Sequence, residues 1–110
     1  MIEVVVDRTK WLRGEGHHES ALLRERDGKQ CCVGFLARVL GAATEDILGR
    51  RILSAVSGKV GPCTDFEKMH YYELDEAYSA NDDGAINDSQ REIILQDIGH
   101  SMDVNFTFVN

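Results

Sequence analysis

The two ends of the chain carry the same pattern. Ile2, Val4 and Val6 alternate with Glu3 and Asp7 in a β-branched run, and Val104, Phe106 and Phe108 alternate with Asn105 and Thr107. A period of two is that of a strand with one buried face. A lone strand leaves its backbone groups unsatisfied, so each terminal strand needs a partner, and pairing with each other is the simplest solution. Almost everything between must therefore return the chain to its starting edge and cover one face of the resulting sheet.

The intervening segments read mostly as helices. Cys32, Phe35, Leu36, Val39 and Leu40 form an apolar stripe at i, i+3, i+4, i+7 and i+8, with Arg38 in the last turn and Gly41 placed to end the helix in a left-handed cap. Thr44 precedes Glu45 and Asp46 as the cap of a short helix closed by Gly49, and Ile52–Val56 fits either strand or helix. Thr64 and Glu67 have capping-box spacing, which predicts one helix through Met69, Tyr71, Leu74 and Tyr78 to Ser79, its tyrosines half buried. Asn81–Gly84 reads as a turn, after which Asn87 or Asp88 caps a helix that turns Ile94, Leu95 and Ile98 inward and stops at Gly99. Asp7 is placed to cap a helical turn through Trp11, Gly14–His18 has the composition of a mobile loop, and Asp27-Gly28 suits a tight turn or hairpin. Gly58–Pro62 is a break too short to separate two domains.

The expected fold is thus α+β, a single domain over 1–110, its small sheet including the paired N- and C-terminal strands and packed with three to four helices, chiefly Cys32–Leu40 and Ser89–Ile98. With 110 residues, 43% of them apolar, the chain can bury one continuous core.

Charge divides the sequence. Residues 62–110 carry 11 carboxylates against Lys68 and Arg91, a balance of −9, whereas residues 1–61 balance at +2. Phosphate-tracking surfaces need clustered Lys and Arg, and the longest basic run here is Arg50-Arg51, so direct nucleic-acid binding is not expected. An acidic surface suits basic partners. Glu73, Asp75, Glu76, Asp82, Asp83, Asp88 and Glu92 are the candidate partner-binding residues, with Tyr71, Tyr72 and Tyr78 as anchors if exposed. No apolar run reaches the roughly 20 residues of a membrane span, and the N-terminus lacks the basic start and apolar length of a signal peptide. A cytoplasmic chain away from membranes is expected, with Cys31, Cys32 and Cys63 as reduced thiols because they are odd in number and two are adjacent.

The Cys, His and acidic residues offer three chemistries. A thiol at the start of the Cys32 helix would feel the positive end of the macrodipole, which lowers its pKa, so Cys31 and Cys32 are catalytic candidates with His100 as a possible base. The Cys32-Val33-Gly34-Phe35 run resembles the Cys-Ser-Gly-Phe of the NlpC/P60 cysteine peptidases, whose helix-opening cysteine works with a histidine from a strand of the following sheet. Here His70 falls on a predicted helix and His100 just past one, and the competing reading of Cys32 is a buried apolar residue. Zinc would draw on His17, His18, Cys31, Cys32, Cys63 and His70, but no ligand pair is spaced by two to four residues and no metal is expected. Ser79–Gln90 resembles a twelve-residue EF-hand loop, with Ser79 and Gln90 replacing the Asp and bidentate Glu that bind most strongly. No cofactor is implied.

Trp11-Leu12-Arg13-Gly14-Glu15, Leu22-Leu23-Arg24, Asp27 to Ala37 with its Cys-Cys-x-Gly-Phe, and Asn81-Asp82-Asp83 together resemble small uncharacterised proteins of tailed bacteriophages and prophages. That resemblance brings no activity or catalytic residue; it implies a phage accessory role in the cytoplasm of a bacterial host. Binding rather than catalysis is the expected function, through an acidic C-terminal surface directed at a basic host or defence protein. The alternatives are a cysteine hydrolase or transferase and a homo-oligomeric structural protein of unknown stoichiometry.

Overall fold

The computed structural model describes residues 1–56 and 60–110 of the chain, so Gly58 and Lys59 of the expected break lie outside the described residues. Strand β1 (Ile2–Asp7) and strand β2 (Val104–Val109) pair side by side in register Ile2 to Val104 through Asp7 to Val109. The pairing is parallel. A parallel neighbour demands a crossover, and here the crossover is the whole helical body of the protein.

Among the described residues five helices make up that body: α1 (Cys32–Val39), α2 (Thr44–Ile47), α3 (Gly61–Met69), α4 (Tyr71–Asp82) and α5 (Asp88–Ser101), with a 3₁₀ turn at Leu53–Ala55. The sheet buries Val4, Val6, Val104 and Phe106 almost completely, while Val5 and Thr107 point to solvent. Helix α1 packs on β1 and α5 on β2, so the buried face lies under the two helices expected to cover it. The α+β architecture with paired terminal strands is thereby the observed one.

Close approach fixes how those helices sit. A Cβ on Gly34 would stand 2.0 Å from the Leu22 carbonyl oxygen, and one on Gly99 would stand 2.8 Å from Phe106 Cδ2 and the Val104 oxygen. Gly99 does not end α5 but lies within it and lets the helix touch β2. Because α5 turns Arg91, Leu95 and Gly99 inward at spacings of four, Ile94 is rotated by about 100° from Leu95, while Ile98, half-buried, still packs against the core. Ile94 is 38% exposed, contrary to the inward position its periodicity suggested. Helix α1 is likewise turned so that Val33 and Ala37 are buried and Val39 is exposed.

Other local expectations are corrected for equally specific reasons. The expected Thr64–Ser79 helix is two helices, because α3 begins at Gly61 with Pro62 in its first turn and the chain breaks at His70, whose φ −126 and ψ 35 are not helical. Asn81 and Asp82 belong to the end of α4 and not to a turn, and Ala43 rather than Thr44 precedes α2, its N–H held by Asp46 Oδ2. Asp7 forms no helical cap; its Oδ1 accepts from Thr9 N and Oγ1 in an Asx turn. Asn87 caps α5 as expected, exchanging hydrogen bonds with Gln90 in both directions.

The long segment from Arg8 to Cys31 has no helix, yet it is anchored along its length. Leu12 N donates to Gln30 O, Gln30 N to Lys10 O, Leu22 N to Arg50 O and Cys31 N to Ala21 O. Gly14 and Gly16, both at positive φ, donate to the Asn81 and Asp82 carbonyls, so the segment read as a mobile loop is fastened to the end of α4. Trp11, Leu12 and Leu22 from this stretch are among the most deeply buried side chains.

Candidate functional site

Asn81 is fully buried and satisfies both ends of its amide. Its Oδ1 accepts from Trp11 Nε1 at 2.8 Å and from Cys32 N at 3.1 Å, and its Nδ2 donates to Leu12 O at 2.9 Å and Asp82 Oδ1 at 2.9 Å. Arg91, also buried, donates to the carbonyls of Ala80, Asn81, Asp83 and Ile86 at 2.7–3.2 Å. Those are carbonyls at and just beyond the end of α4, where a helix has no internal donor left. The Trp11-Leu12 run, the Cys-Cys helix and Asn81-Asp82-Asp83 therefore meet at one polar hub, and a role in holding the fold accounts for all three.

The thiols take part in that core and not in a reactive centre. Cys31, Cys32 and Cys63 are free and buried. Burial pushes the Cys31 thiol up to about 12 and Cys32 well above its ordinary value, overriding the helix-terminus effect that was expected to lower them. Desolvation wins because a thiolate here would face apolar side chains and the nearby Asp82 instead of water. His100 is exposed at the far end of α5, within 3.3 Å of Asn105 Oδ1, and among the described residues neither Cys31 Sγ nor Cys32 Sγ is hydrogen-bonded to a histidine. The three catalytic candidates are not brought together.

The acidic candidates separate into paired and unpaired groups. Glu92 receives Arg8 through two 2.8 Å hydrogen bonds, Asp88 meets Arg13 at 3.1 Å and Arg91 at 3.4 Å, and Glu73 lies 3.1 Å from His70 Nδ1. The Arg13 hydrogen bonds hold the Asp88 carboxyl below its usual value. Two of these pairs, Arg8–Glu92 and Arg13–Asp88, set basic residues of the first half against acidic residues of the second. Asp82 is buried beside Asn81. Asp75, Glu76 and Asp83 are exposed and have no ion pair among the described residues.

Those three carboxylates gather on α4 and on the residue that ends it, Asp83. Asp75, Ser79 and Asp83, four residues apart, form a ridge between two grooves. The first, about 560 Å³, has Tyr78 and Ile52 in its wall and carries His17 and Arg51 opposite the ridge. Tyr78 Oη accepts from Leu53 N at 2.9 Å, and burial raises its phenol. The second, about 330 Å³, runs between α4 and α5 with Ala80, Ile86, Ile94 and Ile98 as apolar lining and Asp75, Glu76 and Asp83 at its edge. Tyr71 and Tyr72 are exposed at the start of α4, against the expectation that they sit half buried; Tyr78 alone of the three does.

The EF-hand-like window does not form a loop, since its first four residues are the last turn of α4 and the Asn81 side chain points inward to Trp11. Among the described residues no group of three or more His, Cys, Asp or Glu side chains is placed to hold a metal ion, and no helix is long and apolar enough to cross a membrane. Comparison with family models, with curated proteins and with solved structures finds no match.

The ridge was partly visible in the sequence as acidic residues at helical spacing. His17, Arg51, Ile86 and Ile94 were not identified as lining residues, because a loop, a turn and a misphased helix face give no sequence signal for a shared groove.

Proposed function

We propose that this chain is a non-enzymatic binding protein, an accessory protein of the phage type acting in the bacterial cytoplasm, and that it engages a basic host or defence protein through the carboxylates of α4. The observation that carries this reading is the survival of Asp75, Glu76 and Asp83 as an unpaired group after Arg8 and Arg13 have taken Glu92 and Asp88. Of the two basic residues in 62–110, Arg91 is buried against carbonyls, so little positive charge is left on this half to screen the ridge. Carboxylates gathered on one face steer a basic partner and fix its orientation.

The test is capture from a bacterial lysate on the immobilised chain, followed by a salt gradient. A basic protein should be retained at low salt, released as salt rises, and not retained by the Asp75→Asn/Glu76→Gln/Asp83→Asn variant. Retention that is insensitive to both salt and these substitutions, or no retained protein at all, contradicts the reading.

A further inference from the structure

The geometry points to the groove between α4 and α5 as the seat of a basic helical segment of the partner, one that presents an aliphatic side chain flanked by Lys or Arg. This deepens the proposed function and rests on it. Ile94 is left partly exposed by the inward Arg91, Leu95 and Gly99 stripe, and with the half-buried Ile86 and Ile98 it forms the apolar floor of this groove. Asp75, Glu76 and Asp83 stand along its rim. A floor of isoleucines edged by carboxylates complements an amphipathic helix whose apolar residue is surrounded by positive charge.

Charge decides between the two grooves. The first has Arg51 and His17 facing the ridge, and the guanidinium opposes a Lys- or Arg-bearing segment entering there. The α4–α5 groove has carboxylates and no basic residue in its lining. Its volume of about 330 Å³ is at the small end for an enclosed ligand and suits inserted side chains better than a bulky cofactor.

The experiment is a titration followed by isoleucine-methyl NMR, using a synthetic helical peptide with two leucines at i and i+4 among lysines, and the same peptide with both leucines replaced by serine. The leucine peptide should shift the Ile86, Ile94 and Ile98 methyl signals saturably and bind at least tenfold more tightly than the serine peptide. Ile94→Ser, at a partly exposed site, should weaken the leucine peptide about tenfold while the Ile2 and Ile47 signals confirm an intact fold. Equal affinity of the two peptides, or shifts centred on Ile52 of the first groove, overturns the groove assignment while leaving a basic partner in place. If neither peptide binds at low salt, the basic-partner reading fails together with the inference.

Discussion

Trp11 Nε1 and Asn81 Oδ1 meet at 2.8 Å in the interior, joining a helix-free segment near one end of the chain to the last turn of α4. The same oxygen accepts the first amide of α1, and the same side chain answers the Leu12 carbonyl. A single buried amide thus sets the relative position of three segments, which is why the grooved face of α4 has a defined shape.

Replacing Asn81 with Ala strands the Trp11 and Cys32 donors and the Leu12 carbonyl in a dry site. Each unsatisfied buried group costs about 1–3 kcal/mol, so Asn81→Ala is expected to lose at least that much and to fall well below wild type in urea midpoint. Trp11 is the only tryptophan, so its fluorescence reports the transition directly. Asn81→Asp keeps an acceptor for Trp11 but loses the donor to Leu12 and places a second carboxylate beside Asp82, so it should be rescued in part at acidic pH.

Gly34→Ala and Gly99→Ala should both destabilise, Gly34 the more. Its new methyl would meet backbone at 2.0 Å, whereas that on Gly99 meets the edge of a phenyl ring and one carbonyl at 2.8 Å. Overpacking of this kind costs about 1–3 kcal/mol and more where backbone must move.

The thiols should be silent in the folded protein. With Cys31, Cys32 and Cys63 buried and their pKa values raised, an aromatic disulfide reagent at pH 8 is expected to label none of them at native conditions and all three in denaturant. Rapid native labelling of Cys31 or Cys32 would reopen the thiol-enzyme alternative. Because the folded Cys31 pKa is raised to about 12 from 9.0, its contribution to stability is complete below pH 9 and is lost as pH rises toward 12.

On the acid side the sign is reversed. Arg24 hydrogen bonds depress Asp27 to about 2, and Arg13 lowers Asp88, so both carboxylates favour the folded state when ionised. Their contribution is complete above the unfolded value of 3.8 and is lost as pH falls from there toward 2. Thermal midpoints recorded from pH 6 to 2 should fall below pH 4, and the drop should be smaller in Asp27→Asn and Asp88→Asn, which begin lower at neutral pH.

The sequence made the fold's frame legible because its strongest signals are local. Alternation in the two terminal strands, the Asn87 cap with Gln90 and the extent of the Cys32 helix each depend on neighbours within a turn or two. The phases of α1 and α5 were legible only in part: Val39 and Ile94 of the expected stripes are exposed, and the close approaches of Gly34 to Leu22 and of Gly99 to Phe106 involve distant partners that periodicity does not register. The same limit hid the site. The surplus of carboxylates could be counted, but which ones Arg8 and Arg13 neutralise depends on how the chain returns on itself. Ile94 reaches the groove because it is exposed where its periodicity suggested an inward position.

A photo-crosslinking residue at Ser79, on the ridge, or at Thr107, on the exposed face of the sheet, in bacterial cells irradiated while they express each version, reports whether the partner lies on α4. A crosslink to a basic protein is expected from position 79 and none from 107, with the product lost when Asp75, Glu76 and Asp83 are neutralised. A crosslink from 107 alone, or one from 79 that survives that neutralisation, would contradict a partner surface on α4.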